Sequence, residues 1–448
     1  MQTSIFAEFV EKYFQLIVGR ITETFNEKKQ EQQLMHKSML TEDYSPDMHW
    51  DSTNINRSMV AADVVSLGSP LPLKKRDRIS RAGGRLPKVG ILFHKDEQDI
   101  SDINVMIARG ARESSVAAKI MDDVKKAIRG VDLRNEILFL EGLSTGMCLV
   151  DSETNDGTGI RADFGYKEEN TMHAITAPWT SASATPVDDI NQIFEKAVED
   201  SVTIEHAYIS EKAFKRLRNS EQGKALAARY MNVVFTATTQ LTVPKTETML
   251  EALKDEFGAT FHIVKSSIRI ENPDGSFTNV KPFAEDNVVF TPTDNIGRLV
   301  YGTLAEETNP VNGVDYEKSG SYVLVSKFSE NNPLMEFTSA QAICLPVIDE
   351  ADSIYLLHTD ATSEGLSLSE STLAYTKEGG KQTVDIHYDG DLSNLTINSS
   401  ETFVTVKRTK DKLAVTAAAN SSTARTATVT VSDGTLTATV SVSQAAGN

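Results

Sequence analysis

Cysteine is scarce in this sequence. Cys148 and Cys344 are the two present in 448 residues, too few for a disulfide framework, and the expectation is synthesis in a reducing cytoplasm. Long apolar runs are missing as well: nothing approaches the roughly 18 residues that a membrane-spanning helix needs, so no membrane partner is expected. The opening MQTSIFAEFVEKYFQLIVGR has acids and an amphipathic rhythm where a signal peptide has a basic start and a small-residue cleavage site. Catalytic motifs are also lacking. There is no G-x-S-x-G, no H-E-x-x-H, no phosphate-binding G-x-x-x-x-G-K-[ST] and no paired C-x-x-C. The eight histidines, at 36, 49, 94, 173, 206, 262, 358 and 387, are scattered without a metal-ligand spacing. Asp188 and Asp189 suit a helix N-terminus, DEADS (349–353) suits an acidic turn, and the two thiols sit in apolar surroundings that suit buried, inert cysteine. The expectation is a protein with no catalytic residues, no metal and no cofactor.

Charge of one sign is short too, but unevenly. Lys and Arg number 45 against 63 Asp and Glu, a formal charge of −18, which argues against a protein that coats nucleic acid. Yet Lys74, Lys75, Arg76, Arg78, Arg81, Arg85 and Lys88 crowd into SPLPLKKRDRISRAGGRLPK, with Asp77 as the one acid between them. Three readings compete for this stretch. A contact with the acidic surface of a neighbouring subunit ranks first, because arginine pairs bidentately with carboxylates and complementarity fixes register. A solvated tip ranks second and nucleic acid third.

The elements around it are legible. Residues 1 to about 40 predict one or two amphipathic helices, and 41–57 a polar connecting arm. SMVAADVVSLGSP and LPKVGILFHKD read as strands flanking the basic stretch, an extended hairpin reaching about 50 Å. From Asp99 to about Gly142 the apolar stripe Ile103, Met106, Ile107, Ile120, Val124, Ile128, Val131 predicts roughly 60 Å of helix, with bends or breaks at Gly110 and Gly130. Up to His358 helices and strands mix without βαβ alternation, an α+β pattern. Residues 361–448 differ: about one third Ser and Thr, with short alternating strands and turn signals at about ten-residue spacing. They predict a separate β-sandwich.

Three passages carry a resemblance. APWTSASATPVDDINQ, EDNVVFTPTDNIGRLVYGTLAE and NNPLMEFTSAQAICLPVIDEADSIYLLHTDA, in that order, resemble the lambda-type major capsid proteins of tailed phages over roughly residues 60–360. The resemblance implies an HK-97-like capsid fold: an N-terminal arm (1–57), an extended loop (58–95), a spine helix (96–145), a peripheral domain (146–185 and 335–360) and an axial domain (186–334). It implies a subunit that self-assembles, as hexamers and pentamers, into an icosahedral shell around double-stranded DNA without sequence-specific binding. Scaffolding, portal and decoration proteins are the implied partners, the host cytoplasm the place of assembly and the virion the final location.

The last 88 residues resemble the Bacteroidetes-associated Ig-like BACON domain through LAYTKEGGKQTVDI, ETFVTV, LAVTAAANSSTARTATVTV and TATVSVSQAAG, pointing to a phage of Bacteroidetes. Family members carry tryptophans where this chain has Leu395, Ile397 and Phe403, which weakens a glycan role. Tyr375, Tyr388 and Phe403 are the candidate surface-binding residues for glycans, and passive decoration is the competing reading. The alternative for the whole chain is a secreted Bacteroidetes surface-binding protein carrying such a domain.

Overall fold

The computed structural model describes residues 2–27, 34–53, 81–150, 160–232, 241–272, 274–362, 366–368, 370, 372–388, 392, 395–409, 412–432 and 437–447. The chain forms two units. One holds Met1–Met172 with Ile190–Leu357, the other His173–Asp189 with His358–Asn448. The first mixes helices and strands and the second is all-β beyond His358, as the α+β reading with a C-terminal sandwich expects.

The large unit is built around the strand Leu334–Ile348, 15 residues long and so about 50 Å. One edge pairs antiparallel with Val323–Asn331. The other edge is shared: Lys88–Lys95 covers the stretch Ile343 back to Glu336, and Gly297–Gly302 covers Ile348 back to Ile343. Leu40–Tyr44 adds a parallel strand beyond Gly297–Gly302. Two expectations change here. The polar arm 41–57 is in part sheet, because Leu40 is buried and its backbone completes the edge of Gly297–Gly302. Lys88–Lys95, read as one arm of a projecting hairpin, instead lies in this sheet, where Val89 and Lys95 are buried. The other expected arm, 58–70, falls outside the described residues.

The predicted 60 Å helix is three. Glu97–Ala108 is capped by Asp96, which accepts from the Asp99 amide at 2.9 Å. Gly110, at φ +69°, breaks the run as expected. Glu113–Ile120 follows, and Met121 leaves helical geometry before Asp122–Thr145 begins. Gly130 does not break this last helix, which is 24 residues or about 36 Å long. Gly146, at φ +78°, ends it.

Asp122–Thr145 packs on Leu334–Ile348 with Val124, Ile128, Val131, Phe139, Leu140 and Leu143 buried. Asp123, Asp132, Asn135 and Glu136 are buried too, and each has a partner, although the Asn135 Nδ2 is left without one among the described residues. Glu136 accepts from the Met35 and His36 amides at 2.9 and 3.0 Å and shares a 2.7 Å hydrogen bond with His36 Nδ1. Asp132 binds Lys37 at 2.6 Å and the Tyr322 hydroxyl at 3.2 Å. Asp123 pairs with Lys95, and the Cys344 thiol donates to Asn135 Oδ1 at 3.4 Å. A one-sided amphipathic stripe misses these, because on a sequence they read as the solvated face.

The N-terminal helix Ala7–Glu27 lies on its own subunit. Phe6, Val10, Phe14 and Val18, at helical spacing, join the core. Ahead of it the chain is pinned by backbone bonds between Gln2 and Ser329 and by Glu336, which accepts from Ser4 and from the Ile5 amide. Glu336 also faces Lys327 at 3.3 Å, a lysine wholly out of water whose pKa is lowered by that burial, against the opposing pull of Glu336.

In the small unit two four-stranded sheets face each other, with strand orders Leu366–Leu368, Gly380–Tyr388, Lys412–Ala417, Val404–Thr409 and Thr372–Tyr375, Thr437–Gln444, Arg425–Ser432, Thr396–Ser399. Their alternating residues Val384, Leu413, Val415, Val429, Val431 and Val440 form a core of their own.

Two glycines in helices give opposite outcomes. At Gly19 a Cβ meets nothing within 4 Å, whereas at Gly142 it meets the Phe164 ring at 2.6 Å. Gly19→Ala is expected to raise the unfolding free energy by about 0.5–1 kcal/mol. Gly142→Ala is expected to lower it by about 1–3 kcal/mol, since overpacking outweighs the propensity gain. Urea titrations of the two variants read both signs. Glu136→Gln leaves one carbonyl oxygen for three donors, and a loss of about 3 kcal/mol is expected. Hydrogen exchange should then show residues 35–44 opening first, and unchanged protection there would refute the anchoring role.

Candidate assembly surfaces

The described part of the basic segment starts from a fixed base. His49–Thr53 and Arg81–Arg85 pair antiparallel, His49 opposite Arg85 and Thr53 opposite Arg81. The two glycines of RAGGR make room for Trp50: a Cβ at Gly83 would lie 2.9 Å from the Trp50 carbonyl oxygen, and one at Gly84 3.0 Å from its indole nitrogen. Trp50 is buried and tilts against Phe164, ring centres 5.8 Å apart. Ser52 donates to the Ile348 carbonyl at 2.9 Å.

Arg298 locks this base. Its guanidinium bridges both oxygens of Asp349 (2.7 and 3.1 Å), one oxygen of Asp43 (2.6 Å) and the Asp51 carbonyl (2.8 Å). Hydrogen bonding to Asp349 and Asp43 raises its pKa further against the opposing effect of burial. The fork geometry suits this task; a lysine could not hold three elements at once.

Of the seven basic residues singled out in the sequence, Lys74, Lys75, Arg76 and Arg78 lie outside the described residues. Arg81 opens the strand of the base, and Arg85, at its end, is exposed. Lys88 bonds Glu306 of its own chain at 3.2 Å; burial pulls the Glu306 carboxyl up, but a bond from its own backbone amide and then Lys88 hold it below its usual range.

The three aromatic residues proposed for surface binding do not form a platform. Tyr375 is 6% exposed and donates to the Val415 carbonyl at 2.7 Å. In the strand Thr372–Tyr375 the inward positions alternate, so Leu373 and Tyr375 point into the sandwich together. Tyr388 and Phe403 pack against the same core, and the Arg425 guanidinium lies over the Phe403 ring at 4.1 Å.

Cys148 and Cys344 are fully buried, and burial pushes both thiols up to about 12, so neither is a nucleophile at neutral pH. DEADS forms a tight turn, with Glu350 at φ +57° ahead of a single helical turn at Ala351–Ser353. Among the described residues no group of three or more His, Cys, Asp or Glu is placed to hold a metal. The histidines do pair, which their spacing hid: His206 Nδ1 lies 3.1 Å from His262 Nε2, and His173 stacks on His358 with centres 5.1 Å apart.

Two further groupings escaped sequence reasoning. In the small unit, Asp189 accepts from the Trp179 indole at 2.6 Å and the Ile175 amide at 2.7 Å. Burial raises its pKa against those two bonds. The sequence signal was there, a lone Trp ten residues before an Asp at a helix start, yet helix-start chemistry explained the Asp sufficiently. In the large unit, four lysines from three separate stretches line one cleft near Ser210 and Val264. No sequence window contains enough of them to stand out.

No curated protein matches the chain. Solved structures similar to it include a candidate capsid protein of a prophage of E. coli CFT073 (13% identity, 80% of this chain and 99% of that one, TM-score 0.48). A phage-related protein of Bordetella bronchiseptica RB50 (12%, 76% and 97%, 0.43) and the capsid asymmetric unit of cyanophage A-1(L) (10%, 72% and 90%, 0.41) are others. The BACON model, described as a candidate binding domain, matches residues 393–445. The model of phage major capsid protein E matches residues 18–357, most of the chain, and the protein therefore belongs to the phage major capsid protein E family, with a BACON domain at its C-terminus.

Proposed function

We propose that this chain is the wall-forming subunit of a phage head, assembling with copies of itself as hexamers and pentamers into an icosahedral, HK-97-like shell around double-stranded DNA. The observation that carries the reading is the family match over residues 18–357. The charge of −18 supports it, because an acidic wall encloses polyphosphate without gripping it. In this reading Asp122–Thr145 and the helices before it serve as the spine, residues 58–95 as the extended loop with its last stretch, Lys88–Lys95, returned to the sheet, 186–334 as the axial domain, and 146–185 with 335–360 as the peripheral domain. A scaffolding protein and a portal are the expected partners, the host cytoplasm the place of assembly and the virion the destination. A secreted surface-binding protein is the weaker reading, since it leaves the match over 18–357 without a purpose.

The basic segment then acts between subunits. Arg298 and Trp50 hold its base, and Arg76, Arg78 and Arg81 meet carboxylates of a neighbour. The BACON domain decorates the shell. The burial of Tyr375 and the Arg425 cover on Phe403 support decoration over sugar binding, for which open aromatic faces are the usual platform.

Electron microscopy of the overexpressed chain, with and without a scaffolding partner, should show shells, tubes or rings; a dispersed monomer in both cases would overturn the reading. Charge reversal at Arg76, Arg78 and Arg81 should abolish those assemblies while the melting curve of the subunit stays unchanged, and normal shells from the variant would remove the segment from the contact. A chain ending at Thr362 should still form shells, because the sandwich has its own core; loss of assembly would make the domain more than decoration.

A further inference from the structure

The cleft near Ser210 and Val264, of about 610 Å3, gathers Lys212, Lys215, Arg216, Lys265 and Lys281 around the acids Glu211 and Glu285. Adjacent Asp286 absorbs two of the cations: Lys212 reaches it at 2.9 Å, and Arg216 bonds it as well. The three other lysines are exposed. Lys215 bonds Glu211 at 2.9 Å and Lys281 bonds Glu285 at 2.5 Å. Glu211 shows how closely they converge, since its carboxyl is held below the usual range by Lys215 first, with Lys265 and Lys281 adding to it. Five cations thus outnumber three acids at one concave spot on a protein of charge −18.

The helix Thr246–Phe257 carries the opposite charge. Met249, Ala252 and Leu253 face inward, while Glu247, Glu251 and Asp255 form an exposed row at every fourth residue. Like charges at that spacing destabilise a helix. The local response is small: the Tyr230 hydroxyl lies 3.3 Å from Glu251, and its pKa is raised chiefly by that carboxylate, with Asp255 contributing. The next acid, Glu256, is engaged by Arg229. A row of negative charge, its members a little over one helical turn apart, is complementary in sign to a cleft with three converging lysines.

We infer that the cleft of Lys215, Lys265 and Lys281 receives the Glu247–Glu251–Asp255 row of a second copy of this chain. The contact is heterologous, two different patches of one fold, so repeating it generates closed rings when the rotation permits. It rests on the shell reading and names a contact within it. A nucleic acid is the less fitting occupant, because the net charge of −18 opposes the approach of a long polyanion.

The test uses the full-length chain with the cleft reversed (K215E/K265E/K281E), the row reversed (E247K/E251K/D255K), and both reversals together. Each single reversal should cut assembled particles, counted by electron microscopy and sedimentation, by about tenfold or more, with melting unchanged; the combined variant should recover most of them. Full assembly in the cleft variant, or a combined variant no better than the singles, overturns the pairing. Should a reversal unfold the chain, lysine-to-glutamine changes at the same three sites replace it, with a smaller loss expected and no loss counting against. If the wild type forms no particles, the shell reading fails by itself, and the contact is read by mixing the two single reversals. Co-sedimentation of the mixture supports it, and independent migration overturns it. Retention of the wild type on immobilised DNA, lost in the cleft variant while assembly is unchanged, assigns the cleft to a polyanion and overturns it too.

Discussion

Charge removed from water inside the large unit has to be matched group by group, and the helix Asp122–Thr145 is where much of that matching happens. Asp123 meets Lys95 from the neighbouring strand, Asp132 meets Lys37 and Tyr322, Asn135 meets Cys344, and Glu136 takes two amides and a histidine from residues 35 and 36. Breaking one partner of a buried pair costs about 3–5 kcal/mol. Sliding the helix by one residue would break several at once. Apolar surfaces tolerate such slips far better. The apolar face of the helix therefore supplies the burial, while its polar residues choose the register.

Specified register is what a subunit needs if its surface patches must meet those of identical copies. The same logic operates at two other places. Glu336 and Lys327 hold the start of the chain, through Ser4 and Ile5, onto the sheet, so the N-terminal helix belongs to the subunit's core. Arg298 ties Asp43, Asp51 and Asp349 together, so the base of the basic segment cannot swing relative to the sheet. In each case one charged side chain joins elements that are remote in sequence.

Those long-range ties are what the sequence could not disclose. Periodicity located the N-terminal helices and the strands of the sandwich, because each depends on local spacing or turn chemistry. It read one long helix where three exist, since an apolar stripe continues across Met121 whether or not the backbone does. It also read 41–57 as an arm. The strand Leu40–Tyr44 has a polar sequence and is held by edge pairing to Gly297–Gly302, a partner about 256 residues away. The candidate site was legible only as composition. Seven basic residues in one window stand out, whereas Lys215, Lys265 and Lys281 come from separate windows and meet only in three dimensions. Tyr375 was misplaced for a simpler reason: alternation with Leu373 put it inside.

The balance of charge gives these local groupings their force. Copies carrying −18 repel one another at long range, but at physiological ionic strength that repulsion is screened beyond about 8 Å. Approach is then decided patch by patch. Most of the surface offers acid to acid, and only a basic spot meeting an acidic one is favourable, which makes misdocked pairs costly and leaves few stable orientations. On the shell reading, a subunit with a surplus of basic surface would also bind the genome and lose that selectivity. On the same reading, keeping the cations few and clustered would leave an acidic protein little hold on DNA and make it particular about its neighbours.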